Sequence, residues 1–257
     1  MDENFDLERR LRIAQFAQDG VLNSLAHDWV FESMKRKYLY NFDWLGRPII
    51  QYPQDIVAIQ EIIWQVRPTL IIETGIAHGG SLILSASMLA LLDYCEAVES
   101  GLAIYPSESK RKVVGVDIEI REHNRSAIER HPMSSKIEMI EGSSTNQRIV
   151  DQVAELAKGH SSVLVLLDSN HTYEHVLCEL ESYANLVSVG SYCVVFDTFV
   201  EDMPTGYFAD RPWDKGNSPR TAVDQFLKLH AEFEVDESIQ NKLLITVAPG
   251  GFIKRIA

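Results

Sequence analysis

Short unbroken apolar runs alternate with stretches in which apolar residues recur every three to four positions, from about residue 54 to the end of the chain. The runs Leu70-Ile-Ile, Val113-Val-Gly-Val, Val163-Leu-Val-Leu-Leu and Tyr192-Cys-Val-Val-Phe lack the in-out alternation of a half-solvated strand. They predict buried strands over about 70–74, 113–118, 162–168 and 191–197, and Lys136-Ile-Glu-Met-Ile-Glu141 reads as one more strand between the second and the fourth. Helical patterns fall between them, over 54–66, about 80–97, from near Asn124, 146–158, up to about Leu186, and 219–232. Strand and helix in strict alternation predict an α/β fold with a doubly wound, mostly parallel sheet. Two further runs, Leu243-Leu-Ile-Thr-Val and Phe252-Ile-Lys-Arg-Ile256, flank Pro249-Gly-Gly251. They read as an antiparallel hairpin that brings the sheet to seven strands. Residues 6–37 carry helical spacing, and Tyr38 to Pro48 is rich in aromatics. The chain therefore divides into an N-terminal helical extension, 1–53, and one α/β domain, 54–257.

The polar residues that end the runs carry the chemistry. Glu73 closes the first strand, Asp117 the second, Asp168 the fourth and Asp197 the fifth. Ligands of open α/β sheets bind at this carboxyl edge, so acids gathered there predict a site. The first turn, Glu73-Thr-Gly-Ile-Ala-His-Gly-Gly-Ser81, lacks the G-x-G-x-x-G of a dinucleotide fold and the lysine of a P-loop. No Tyr is followed four residues later by Lys, which removes the usual short-chain dehydrogenase pair. What remains, Glu-x-Gly-x-x-x-Gly-Gly, resembles the S-adenosylmethionine loop of class I methyltransferases. That resemblance makes Glu73, Thr74, Gly75, Gly79, Gly80 and Ser81 candidate cofactor residues. Asp117 is a candidate for the ribose diol, because a carboxylate accepts two hydrogen bonds, with Ile118 beside it. Ser143 and Ser144, in the turn after the third strand, could meet an adenine edge. The competing explanation for Asp117 is capping of the next turn.

Strands four and five lie side by side, which brings Asp168 and Asp197 together. Two carboxylates without nearby cysteine suit a hard cation, Mg²⁺ foremost, so both are candidate metal ligands, and Asp168 is also expected to border the cofactor. His171 follows Asp168 by three residues and is the candidate general base, with His175 a weaker rival. The expected reaction is in-line methyl transfer from a sulfonium to a substrate oxygen. Turn capping competes for both aspartates, and a hydrogen-bonded structural role competes for His171.

Net charge of −13 and a pI near 5.0 oppose extended phosphate-backbone contacts, so no nucleic-acid partner is expected. No apolar run reaches the roughly 18 residues of a membrane span, and no membrane partner is expected. The acidic N-terminus lacks a signal core. Three cysteines, 95, 178 and 193, have no metal spacing and read as free, buried thiols in a reducing, cytoplasmic compartment. The Pro- and Gly-punctuated stretch 198–218 is long enough to be a binding lid. The aromatic, helical N-terminus offers a face for assembly into a homo-oligomer.

Tyr40-Asn-Phe-Asp-Trp-Leu-Gly-Arg-Pro-Ile-Ile-Gln51, Ile72-Glu-Thr-Gly-Ile-Ala-His-Gly-Gly-Ser81, Asp117-Ile-Glu-Ile-Arg121, Leu167-Asp-Ser-Asn-His171 and Pro249-Gly-Gly251 together resemble the cephalosporin hydroxylase/rhamnosyl O-methyltransferase family over about residues 35–257. The resemblance implies a class I methyltransferase fold, S-adenosylmethionine as cofactor, Mg²⁺ in members that methylate sugar or antibiotic hydroxyls, and a small-molecule hydroxyl acceptor. The hydroxylase label has no support in an iron-binding triad. Related macrolide-sugar methyltransferases pair an Asp-x-x-His turn, matched by Asp168 and His171, with Glu-Asp on the fifth strand. Here Phe196-Asp197 stands in that place, and Thr198 or Glu201 are the nearest oxygen donors that could compensate.

Overall fold

A computed structural model describes residues 3–257. Helices α1 (Glu3–Phe16) and α2 (Gly20–Lys35) lead into a small antiparallel pair, β1 (Phe42–Trp44) and β2 (Arg47–Ile49). Then come α3 (Pro53–Val66), β3 (Leu70–Thr74), α4 (Gly80–Ser100), β4 (Lys112–Asp117), α5 (Glu122–Glu129), β5 (Ile137–Glu141) and α6 (Gln147–Ala157). The second half holds β6 (Val163–Leu167), α7 (Tyr173–Tyr183), β7 (Tyr192–Val195), α8 (Pro219–Leu229), β8 (Phe233–Val235), α9 (Glu237–Leu243) and β9 (Phe252–Arg255).

Seven strands form the main sheet in the order β5-β4-β3-β6-β7-β9-β8, with β9 antiparallel to both neighbours. The doubly wound, mostly parallel architecture expected from the sequence is therefore present. Both faces of the sheet are covered, which explains the unbroken apolar runs. Ile71, Val113, Leu164, Leu166 and Val194 pack into the layer shared with α3 and α4. Their neighbours Ile72, Val114, Val163, Val165 and Val195 pack into the layer shared with α6, α7 and α8. Register is thereby fixed, since a slip of one residue would exchange the two layers.

The helix starts follow local chemistry. Asn146 caps α6 by accepting from Arg148 N, and Ser218 caps α8 in a reciprocal box with Thr221 ahead of Pro219. By length and composition α4 is apolar enough to cross a membrane, yet half of its most apolar window is buried inside the protein, with Leu82, Ile83 and Leu89 fully covered. Arg111 bonds Asp93 and Glu96, and Lys136 also reaches Asp93, which fixes the far end of α4 beside β4 and the residues leading into β5.

Two expectations require correction. Residues 243–247 are not a strand. Leu243 ends α9, and β9 takes Phe233–Val235 as its hairpin-like partner instead. The cause is Asp55, whose fully buried carboxylate accepts from Thr246 Oγ1 and from Val247 N. A backbone donor spent on a side chain is lost to a ladder. Burial pushes the Asp55 carboxyl up to about 7 against those two bonds. The cysteines also differ from one another: Cys193 is buried, Cys95 half-buried and Cys178 exposed.

Candidate functional site

The ends of β3, β6 and β7 are locked in step. Asp168 N donates to Thr74 O at 3.0 Å, and Phe196 N to Leu167 O at 3.0 Å. Gly75, at φ +89, passes so near the β6 end that a Cβ there would lie 2.0 Å from the Asp168 carbonyl oxygen. Only glycine satisfies both conditions. Asp197 itself adopts a left-handed conformation, φ +56. It is buttressed from behind: Thr198 Oγ1 donates to Pro249 O at 2.8 Å, and Val195 N to Gly251 O at 2.8 Å. A Cβ on Gly251 would lie 2.0 Å from Val195 O, which explains the Pro249-Gly-Gly251 signature in physical terms.

Asp168, His171 and Asp197 come together as the resulting constellation. Each offers a ligand atom within 4.8 Å of the others. His171 Nδ1 is 2.9 Å from Asp197 Oδ2, and its Nε2 is 3.6 Å from Asp168 Oδ1. Burial opposes a charged ring here, but Asp197 and Asp168 outweigh it and push His171 up to about 10. Burial also raises Asp168, to about 6, with Asp197 adding to the shift and His171 opposing it. The cluster thus favours one extra positive charge between two carboxylates. Thr198 and Glu201 do not join it. Thr198 is fully buried on Pro249 O, and Glu201 Oε2 accepts from Gly216 N and Ser218 Oγ. Phe196 is 2% exposed and faces a tight cavity beside Glu73 and Asp168.

The glycine loop lies next to this cluster. Glu73 is 2% exposed, accepts from Ser81 Oγ, and leaves Oε2 without a partner among the described residues; burial pushes its carboxyl up to about 8. Gln51 Oε1 and Ser85 Oγ, lining the same cavity, are buried and unpartnered as well, as is Thr74 Oγ1 at the end of β3. Unmet hydrogen-bonding capacity of this kind marks a place for a polar or cationic group. Asp117 Oδ2 accepts from Ile76 N (2.8 Å) and Ala77 N (3.1 Å), while Oδ1 accepts from Glu119 N at 3.2 Å. It therefore shapes the loop and retains acceptor capacity. Ile118 lies just past the end of β4 and is 75% exposed, an apolar surface set against that edge.

Ser144 turns inward. Its hydroxyl is 3.1 Å from His175 Nε2, and Ser169 Oγ is 3.0 Å from the same atom and donates to buried Glu179. Ser143 pairs with Thr145. His175 is thus the centre of a supporting network, away from the cleft that His171 lines.

Arg47 lies within the Tyr40–Gln51 motif, but its role in the site has no signal in residue type or spacing. Arg47 donates through Nε and Nη2 to His78 O at 3.0 and 2.6 Å and through Nη2 to Asn124 Oδ1 at 3.0 Å. A Cβ on Gly80 would meet Pro48 O at 2.2 Å, so β2 rests directly on the start of α4. The N-terminal segment in this way becomes one wall of a cleft of about 860 Å³. The glycine loop and the Asp168 cluster form its floor, and the stretch 199–213 the opposite wall. Trp213 lies over His171, ring centroids 4.7 Å apart.

Residues 36–256 match the model of the family described as Rhamnosyl O-methyltransferase/CmcI. A rhamnosyl O-methyltransferase of Mycobacterium tuberculosis is 26% identical over 238 residues, covering 89% of this chain and 86% of its own. Its counterpart in Mycobacterium leprae is 26% identical over 236 residues, covering 89% and 91%. Among solved structures, a CmcI structure with Mg and S-adenosylmethionine aligns over 85% of this chain and 78% of its own, with a TM-score of 0.55 and 14% identity. An apo CmcI structure aligns over 85% and 77%, with a TM-score of 0.56 and 15% identity. Their likeness supports the fold.

Proposed function

This chain belongs to the Rhamnosyl O-methyltransferase/CmcI family and is an S-adenosylmethionine-dependent O-methyltransferase; we propose that it methylates a hydroxyl of a small molecule, a sugar moiety or other natural product, held in the 860 Å³ cleft. The observation that carries this reading is the joining of Asp168, His171 and Asp197 to the glycine loop in one cleft. The cradle fits the cofactor. The open Glu73 Oε2 suits a cationic amino-acid group, and Asp117 keeps acceptor capacity for a ribose diol. Ile118 supplies apolar surface for adenine, with the backbone around Ser143 and Ser144 beyond it.

Asp168 and Asp197 would hold Mg²⁺, which would lower the pKa of an acceptor hydroxyl and orient it. The fit rests on the geometry: two carboxylates already gather positive charge at one point, with His171 between them. His171, when unprotonated, takes the hydroxyl proton, and Asp197 holds its ring in place from Nδ1. Rhamnosyl relatives and the aromatic wall of Tyr207, Phe208 and Trp213 both support a glycosidic acceptor.

A second reading, a methyltransferase of the same fold that needs no metal, is favoured by Phe196. Its buried ring removes the second acid of a Glu-Asp pair, and Thr198 and Glu201 are engaged elsewhere. Turnover unaffected by EDTA would select it. Titration calorimetry tests the cofactor: S-adenosylmethionine is expected to bind and NADH to give no heat, and the reverse pattern would remove the proposal. Asp117→Ala is expected to weaken S-adenosylmethionine by about 2–4 kcal/mol through the loss of charge-assisted hydrogen bonds. Unchanged affinity would exclude Asp117 from the nucleoside site.

A further inference from the structure

The turn that carries His171 runs into α7, whose first residue is Tyr173. Thr172, at the cap position of that helix, makes no side-chain capping bond. The Tyr173 amide is satisfied from 44 residues away, by Asn217 Oδ1 at 2.9 Å. Asn217 spends its other side-chain group on the far wall of the cleft: Nδ2 donates to Pro212 O at 2.8 Å. Its backbone forms a two-way bridge with Asp214, N to O at 2.8 Å and O from N at 3.1 Å. The residues on both sides of Trp213 are therefore held by one side chain and its own backbone. Trp213 in turn lies over His171, and Arg211 lies 5.3 Å from its ring.

We propose that Asn217 is a positioning residue that clamps the Trp213 wall of the acceptor site to the His171 turn, so that the two move as one body. The inference rests on the reading of this cleft as the methyl-transfer site. It assigns a role to an exposed asparagine outside the catalytic cluster. A residue that only capped α7 would need its oxygen alone, whereas the clamp needs the donor as well. That distinction gives the test its form. In Asn217→Asp a carboxylate still accepts from the Tyr173 amide and suits a helix N-terminus, but it repels the Pro212 carbonyl instead of bonding it. Asn217→Ala loses both ends.

The experiment measures acrylamide quenching of tryptophan fluorescence, thermal melting and steady-state kinetics on wild type, N217A and N217D, with N217A and N217D repeated in a Trp213→Phe background. Both substitutions are expected to raise quenching, and only where Trp213 is present. N217D is expected to melt within about 2 °C of wild type. Both are expected to lower kcat/KM for the acceptor by about tenfold while KM for S-adenosylmethionine stays within about twofold. Wild-type quenching and acceptor kinetics in N217D would confine the residue to capping and overturn the clamp. An equal loss for acceptor and cofactor would overturn it too, since that marks general loosening. Should the wild type methylate none of the acceptors tried, the quenching comparison still decides for or against the clamp, and the missing turnover counts against the proposed activity instead.

Discussion

Replacing either Asp168 or Asp197 with Asn is expected to lower methyl transfer by roughly three orders of magnitude with little change in melting temperature. The size follows from two losses at one point. Each carboxylate supplies part of the negative charge that would hold a cation, and that cation would acidify the acceptor hydroxyl, an effect worth several kcal/mol in metal-assisted reactions. Each also bears on His171, Asp197 at 2.9 Å and Asp168 at 3.6 Å, so its removal frees the ring to turn. Stability should change far less than activity because His171, Asp168 and Asp197 lie at the floor of the cleft and none belongs to the apolar core. Kinetics alongside a melt separate the roles: turnover retained above about a tenth of wild type in both variants would show that the cluster is not the reacting centre.

The second large effect is structural. Gly75→Ala is expected to destabilise the protein by more than about 3 kcal/mol and to abolish S-adenosylmethionine binding in whatever folds. A methyl group would stand 2.0 Å from the Asp168 carbonyl oxygen, in a backbone conformation at φ +89 that L-residues rarely adopt. The clash cannot be relieved by a side-chain rotation, because the opposing atom is backbone at the end of β6. Relief requires β3 and β6 to part at the floor of the cleft. Denaturant unfolding checks the first part and calorimetry the second. An Ala variant of wild-type stability that binds the cofactor would mean that the strand ends are not packed as described.

The sequence made the parallel strands readable because burial on both faces leaves an unbroken apolar run, and each run ends where the site begins. Glu73, Asp117, Asp168 and Asp197 could be placed at one sheet edge from that fact alone, since strand order brings β4, β3, β6 and β7 side by side. The C-terminal hairpin pattern misleads because Leu243 to Val247 has strand-like composition, while its backbone is held by a carboxylate nearly 200 residues earlier in the chain. Local pattern carries no trace of such a partner. The roles of Arg47 and Asn217 are illegible for the same reason. Arg47 bonds a backbone carbonyl of the glycine loop and Asn217 the amide that opens α7, and neither a half-buried arginine nor an exposed asparagine shows in the sequence whether such a distant partner is there. The division of the N-terminal segment from the α/β domain rested on periodicity. The structure adds that Leu39, Ile49 and Tyr52 share the apolar layer of α3 and α4.

The assignment of this cleft to hydroxyl methylation is tested most directly by following isotope from methyl-labelled S-adenosylmethionine into a panel of glycosylated and free hydroxyl acceptors, with Mg²⁺ and with EDTA, and locating the label by mass spectrometry. The account predicts a product labelled on oxygen, formed with Mg²⁺ and suppressed by EDTA. Label found on nitrogen or carbon, or none on any acceptor while the cofactor is bound, would contradict it.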